Sequence, residues 1–299
     1  MAFVMMLALT AGLLTSGLPQ TQSTTDAEAS QVEDIEVVGR MRAQQVREQV
    51  DAFIEGNMAP APGRPLARWS KPVCVATAQL SPQYAQAIID RVAQRIIEAG
   101  GDVAEPGCKA DVMIVGTDNG AEMAQALVRD DPRGFRPSRK ATDRGSAALR
   151  RFEQGDEPVR WWHVSLPVNV DTGELAVRLD GEGYPVNAVR DASRLRTNVR
   201  DDLARVFVIV DFSKTANVQL SALVDYVSFV TLAQVDPQGS GAGQDTILNL
   251  FRNPEGVTGM TQWDRDYLAA LYAAVPNRPT IAAQTRGIAE EVVRQRNGH

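Results

Sequence analysis

The pattern that most constrains the fold is a strand, a helix and a second strand between residues 73 and 116. Residues 73–78 (VCVATA) predict a strand, and Ser81 with Pro82 opens an amphipathic helix that a glycine pair ends. Residues 111–116 (DVMIVG) form a short, continuous apolar run, which is typical of a strand covered on both faces. Two strands joined by such a helix favour a parallel, right-handed connection.

The chain contains two cysteines, and they lie at the two ends of this unit. Cys74 falls in the first strand and Cys108 just before the second, so neighbouring parallel strands would bring their Cα atoms within bonding range. We therefore predict a Cys74–Cys108 disulfide, which indicates an oxidising compartment. The alternative is a reactive or redox thiol, but the chain has no CxxC motif and almost no histidine to activate one.

The N-terminal residues predict export. Residues 2–18 (AFVMMLALTAGLLTSGL) are apolar, and the first ionisable side chain after Met1 is Asp26. This run is shorter than the roughly 20 residues that cross a membrane, and it suits the apolar core of a signal peptide. We predict a cleaved signal over residues 1–22; an uncleaved anchor or a buried core segment are the alternatives. With the disulfide, this indicates a periplasmic or secreted protein without stable membrane insertion after signal removal.

Later segments repeat the strand-then-helix order, at residues 204–212 and 219–235. We therefore predict an α/β or α+β fold with one mixed sheet flanked by helices. Residues 67–299 are predicted to form a single globular domain. Residues 23–66 precede it as a tether, a short amphipathic helix at residues 41–54 and a proline-rich linker.

The charge balance restricts the partners. A formal net charge of −6 and a pI near 5.1 argue against nucleic acid, because phosphate binding needs a basic face. Residues 129–151 are a local exception, which either attracts an anionic component of the cell envelope or forms a solvated basic loop. The basic side chains of this stretch are Arg129, Arg133, Arg136, Arg139, Lys140, Arg144, Arg150 and Arg151.

Histidine is too scarce for most histidine-based catalysis. The chain holds only His163 and the terminal His299, so HExxH zinc chemistry is excluded, and a nucleophilic triad would depend on His163. His163 lies in a predicted strand, where alternation places it on the same face as Trp161 and opposite Trp162. It is either a structural or surface histidine, or an acid/base group beside aromatic side chains. The sequence indicates no cofactor.

Two aspartates are the remaining catalytic candidates. Asp211 ends a predicted strand, where α/β proteins often place functional carboxylates, and Asp225 interrupts an apolar helix. The two would form an acid/base pair if they converge. Otherwise Asp211 serves as a turn or cap residue and Asp225 faces solvent.

Four segments carry a resemblance to a known family: PVCVATAQLSPQYAQAIIDRVAQRI, FVIVDFSKTANVQLSALVDYVSFVTLAQVDP, TILNLF and GMTQWDRDYLAALYAA. Over about residues 68–274 the chain resembles a family of uncharacterised exported proteins of alphaproteobacteria. The resemblance implies export and brings no assigned activity with it.

The last of these segments is also similar, more distantly, to the Met-turn and final helix of metzincin-type zinc peptidases. That family places HExxH on the preceding helix, yet the corresponding segment here, ALVDYVSFVTLAQV, contains neither histidine nor glutamate. The resemblance therefore implies a degenerate peptidase-like protein without a zinc site, and no catalytic residue carries over.

Two classes of function follow from the sequence. The first is a non-catalytic binding or scaffolding domain of the cell envelope. The alternative is a carboxylate-dependent periplasmic hydrolase that uses Asp211 and Asp225. The two differ in whether those carboxylates share a cleft.

Overall fold

The computed structural model describes residues 42–138, 142–180, 183, 185, 196–239, 241 and 243–297. These residues form an α/β fold, a mixed four-stranded sheet flanked by helices, as predicted. The strands are β1 (Val75–Ala78), β2 (Val112–Thr117), β3 (Val159–Asn169) and β4 (Val199–Asp211). The helices are α1 (42–57), α2 (Pro82–Glu98), α3 (Gly120–Asp130), α4 (Pro132–Phe135), α5 (Ser146–Gln154), α6 (Leu220–Leu232), α7 (Gln262–Ala273) and α8 (Ile281–Asn297).

The order of strands in the sheet is β1-β2-β4-β3. β1, β2 and β4 are parallel, and β3 is antiparallel to β4. The parallel pairing of β1 with β2 confirms the connection expected from the sequence. β3 is an edge strand, and this position determines the site described below.

The compact unit of the described chain begins at Ala43, so α1 belongs to the same body as the sheet. Phe53 of α1 is fully buried in the main core. The irregular segment after α1 is also held in this core, because the buried Gln284 amide accepts from the Leu66 N–H and donates to the Leu66 carbonyl. At the next residue, the Gln234 side chain accepts from the Ala67 N–H. The predicted signal over residues 1–22 and the tether that follows it, up to residue 40, lie outside the described residues.

The two faces of the sheet carry different hydrophobic clusters. The larger one includes Trp161 and residues of α1, α2, α6, α7 and α8. The smaller one packs α3 and α5 against the other face, with Phe152 and Trp162 as members. The predicted alternation of the two tryptophans along β3 is therefore confirmed, because successive side chains of a strand point to opposite faces.

The Cys74–Cys108 disulfide is present and confirms the predicted pairing. Its Sγ atoms lie 1.98 Å apart and the Cα atoms 5.9 Å apart. The Asp111 carboxylate accepts from the Cys74 N–H at 3.0 Å, which connects the beginnings of β1 and β2 beside the bond. Of the helices that the structure describes, none has both the length and the apolar character that crossing a membrane requires.

Candidate functional site

A cleft of about 440 Å³ follows the outer edge of β3. One wall is α5, which packs on the Trp162 face of the sheet. The opposite wall is the segment 235–238, which is attached to the other face where Trp161 donates to the Val235 carbonyl at 3.0 Å. The edge of β3 from Val159 to His163 forms the floor. The volume falls within the range of small-ligand sites.

The backbone of β3 is unpaired along this floor. The Asp211 N–H donates to the Pro158 carbonyl. Every second residue of β3, counted from Pro158, therefore directs its backbone groups toward β4. The residues between them, Val159, Trp161 and His163, therefore direct N–H and C=O groups away from the sheet. None of these groups has a hydrogen-bond partner within the described parts of the chain.

The unpaired stretch of this edge ends near Val164. Beyond a bulge at Val164, the Ser165 N–H donates to the Thr142 carbonyl, so the edge is covered from there. At the same end, Arg144 makes two hydrogen bonds of 2.7 and 3.3 Å to Asp236 and joins the two walls of the cleft. The unpaired edge thus covers five residues, from 159 to 163.

The α5 wall is cationic. Arg150 and Arg151 are exposed and line the cleft, and no carboxylate of the described chain lies within ion-pairing distance of either. Arg160, on the same face of β3, is only 3 % exposed and donates to the carbonyls of Phe152 and Gly155. Its Nε has no partner among the described residues, and burial lowers its pKa.

His163 contributes no charge to the cleft at neutral pH. Its side chain is buried, with Nε2 2.7 Å from the Val230 carbonyl. Burial lowers the pKa of His163 to about 4, and the nearby Arg144 acts in the same direction. The imidazole is therefore neutral at pH 7, and the structure places it as a core residue. His299 lies outside the described residues.

Asp211 caps a helix and a turn. Its carboxylate accepts from the N–H of Gly120 at 3.0 Å, at the start of α3, and from the N–H and Oγ of Ser213 at 3.2 and 2.5 Å. Burial raises its pKa, but these hydrogen bonds and Lys214 outweigh that effect and hold the pKa below the ordinary value. An anion is favourable at a helix N-terminus, where backbone N–H groups converge.

Asp225 is buried in an ion-pair network, and the expectation that it faces solvent is wrong. Its carboxylate accepts from Arg91 at 2.9 Å, from Arg95 at 2.9 and 2.8 Å, and from the Met260 N–H at 3.0 Å. Burial raises its pKa, whereas both arginines lower it, with a net decrease. Among the described residues, no hydrogen-bond or ion-pair partner is shared by Asp211 and Asp225, so the structure does not join them into a pair.

The cleft could not be predicted from the sequence. The sequence identifies Arg150 and Arg151 only as members of the basic stretch, and in the structure they lie on a helix rather than in a loop. Two other arginines of the basic stretch form ion pairs within the protein, Arg136 with Asp143 and Arg144 with Asp236. Residues 139 and 140 lie outside the described residues. The signal that the sequence does offer is the adjacent pair Arg150 and Arg151 shortly before a predicted strand that contains two tryptophans.

The fold and the cleft define the class as an α/β protein with an open, arginine-lined strand edge. Searches of family models, of curated proteins and of solved structures found nothing that matches this chain. Within the described ranges, no cluster of three or more histidine, cysteine or acidic side chains is arranged to hold a metal ion.

Proposed function

We propose that this protein is a non-catalytic binding protein of the cell envelope that takes an acidic ligand in the cleft between α5 and β3. The observation that carries the proposal is the pair Arg150 and Arg151, two unpaired cations on the wall of a cleft of about 440 Å³. Guanidinium groups form paired, directional hydrogen bonds with carboxylates and phosphates. The cleft therefore suits an anionic ligand although the whole chain carries a net negative charge.

The charges inside the cleft support an anion rather than a cation. Arg160 adds a buried positive charge at the floor, which the nearby carboxylates of Glu157, Asp211 and Asp156 partly offset, and His163 adds none because it is neutral at pH 7. Glu157 is the acidic side chain of the lining, and it lies at the end opposite the Arg144–Asp236 pair. Interactions with anions gain strength in a concave site because solvent screening is reduced there.

The exported setting is part of the proposal. The Cys74–Cys108 bond is present, and disulfides persist mainly in oxidising compartments. The apolar N-terminal run predicts a signal peptide. The family resemblance points the same way. The hydrolase alternative has less support, since Asp211 and Asp225 are each engaged by separate protein partners.

Charge reversal tests the proposal. The probe is the acetylated and amidated hexapeptide EVEVEV, which carries three carboxylates, titrated calorimetrically into the full-length protein. We expect the double variant Arg150→Glu/Arg151→Glu to bind the probe at least about tenfold more weakly, because both cations that face the ligand are replaced by anions. Binding should also weaken as salt is added.

The matched control is Arg47→Glu/Arg286→Glu, which also reverses two exposed arginines, one on α1 and one on α8, neither of which lines the cleft. It should bind the probe within about twofold of the unsubstituted protein. Equal affinity of the double variant and the control, or no binding of the probe by the unsubstituted protein, would contradict the proposed function.

A further inference from the structure

We propose that the ligand of this cleft is an extended peptide that adds to the sheet as a fifth strand along the open edge of β3. The inference rests on the proposed function and specifies its ligand class. Val159, Trp161 and His163 each present an unpaired N–H and C=O to the cleft, so an added strand gains up to about six backbone hydrogen bonds.

An open edge of this kind is unusual enough to require an explanation. Native sheets protect their edges with covering segments, bulges, prolines or charged side chains, because free edges recruit other strands. This chain protects β3 beyond Val164 with a bulge and with the pairing of Ser165 to Thr142. Between residues 159 and 163 it leaves the edge unpaired and builds walls on both sides instead. Such an arrangement admits one strand and excludes a broad sheet surface.

The two walls match the alternation of side chains in a strand. Successive side chains of an added strand point to opposite faces of the sheet. Those on one face meet Arg150 and Arg151 of α5, and those on the other meet the apolar side chains of Val235 and Pro237. The cleft therefore fits a peptide in which acidic and apolar residues alternate.

The length of the open edge sets the length of the ligand. Five residues of β3, from 159 to 163, span about 16 Å at about 3.3 Å per residue, so about five ligand residues pair with them. The cleft is closed at the His163 end by the Arg144–Asp236 pair. A longer peptide extends past the Val159 end.

The direction of the added strand decides which of its amides point to β3. Val159, Trp161 and His163 have side chains on the Trp161 face. In an antiparallel pair, the ligand residues bonded to them share that face, so the amides of the apolar residues point to β3. In a parallel pair, the bonded ligand residues share the face of Arg160 and α5, so the amides of the acidic residues point to β3.

N-methylation of the probe tests strand addition without altering the protein. Two versions of EVEVEV are compared with the unmodified peptide, one methylated on the three valine nitrogens and one on the three glutamate nitrogens. Both keep every side chain and every charge, and each removes three N–H donors. We expect one version to bind at least about tenfold more weakly and the other to bind within about threefold of the parent. Weaker binding of the valine-methylated peptide indicates an antiparallel strand. Weaker binding of the glutamate-methylated peptide indicates a parallel strand.

Equal effects of the two methylated versions would overturn strand addition, and the proposed function would survive if binding still depended on Arg150 and Arg151. Failure of the unmodified peptide to bind would overturn both. N-acetylglutamate binding as tightly as the hexapeptide would show that the occupant is a small anion. A dimer of the free protein that the hexapeptide does not dissociate would show that a second copy occupies the edge. Either result would overturn the inference.

Discussion

Replacement of Asp225 by alanine is expected to lower the free energy of unfolding by about 3 kcal/mol, because it leaves the largely buried Arg95 with the part-exposed Glu98 as its remaining ionic partner and the Met260 N–H without its acceptor. The Asp225 carboxylate joins α6 to α2 through Arg95, which is itself largely buried, and through Arg91. It also accepts from the Met260 N–H and so holds the segment before α7. Loss of this carboxylate therefore weakens the contacts among three helices.

Urea unfolding followed by circular dichroism measures this effect. The matched control is Asp90→Ala, which removes an exposed carboxylate of α2 whose one hydrogen bond joins it to Gln86 on the same helix. The control should change the free energy of unfolding by no more than about 0.5 kcal/mol. Similar losses in Asp225→Ala and Asp90→Ala would contradict the role assigned to the buried network.

Removal of the disulfide is expected to lower the free energy of unfolding by a similar amount. The bond joins residues 34 apart, and on the chain-entropy model a loop of this length stabilises the fold by about 4 kcal/mol. For a chain of this size the variant Cys74→Ser/Cys108→Ser should melt about 10 °C lower than the oxidised protein.

Reductant provides the internal control for the disulfide. It should lower the melting temperature of the unsubstituted protein to near that of the Cys74→Ser/Cys108→Ser variant, and it should leave the variant unchanged. The free thiols should react with an alkylating reagent only after reduction. A protein that melts at the same temperature with and without reductant would show that the Cys74–Cys108 bond contributes nothing.

The local parts of the fold could be predicted from the sequence. Thr261 and Asp264 predict a helix start, and the structure has a reciprocal capping box there at the beginning of α7. Such features depend on residues three or four apart, whose geometry within a helix is nearly invariant. The Cys74–Cys108 pairing could also be predicted, because a strand-helix-strand unit brings its two strands side by side.

Long-range polar partners could not be predicted. Asp225 is 130 and 134 residues from the two arginines that it binds, and nothing in the local pattern distinguishes it from an aspartate on a solvent-facing position. The same holds for Gln284, which hydrogen-bonds both backbone groups of Leu66 from 218 residues away. Periodicity predicts which face of a helix is apolar. It does not predict which distant group will bind a polar residue that lies on that face.

The cleft could not be predicted from the sequence for a further reason. Whether β3 is an edge strand depends on the order β1-β2-β4-β3, which is a property of the whole sheet. The alternation of Trp161 and Trp162 predicts only that they lie on opposite faces of a strand, which is compatible with an edge position and with a central one. Arg150 and Arg151 line the cleft only because α5 packs beside that edge.

Hydrogen exchange along β3 tests the central claim most directly. In the free protein we expect the amides of Val159, Trp161 and His163 to exchange at least about tenfold faster than those of Arg160 and Trp162, which are bonded to β4. With saturating EVEVEV, the three edge amides should slow by at least about tenfold, with little change at the other two. Edge amides that are already protected in the free protein, or that exchange at the same rate with the peptide bound, would contradict an open edge that receives a strand.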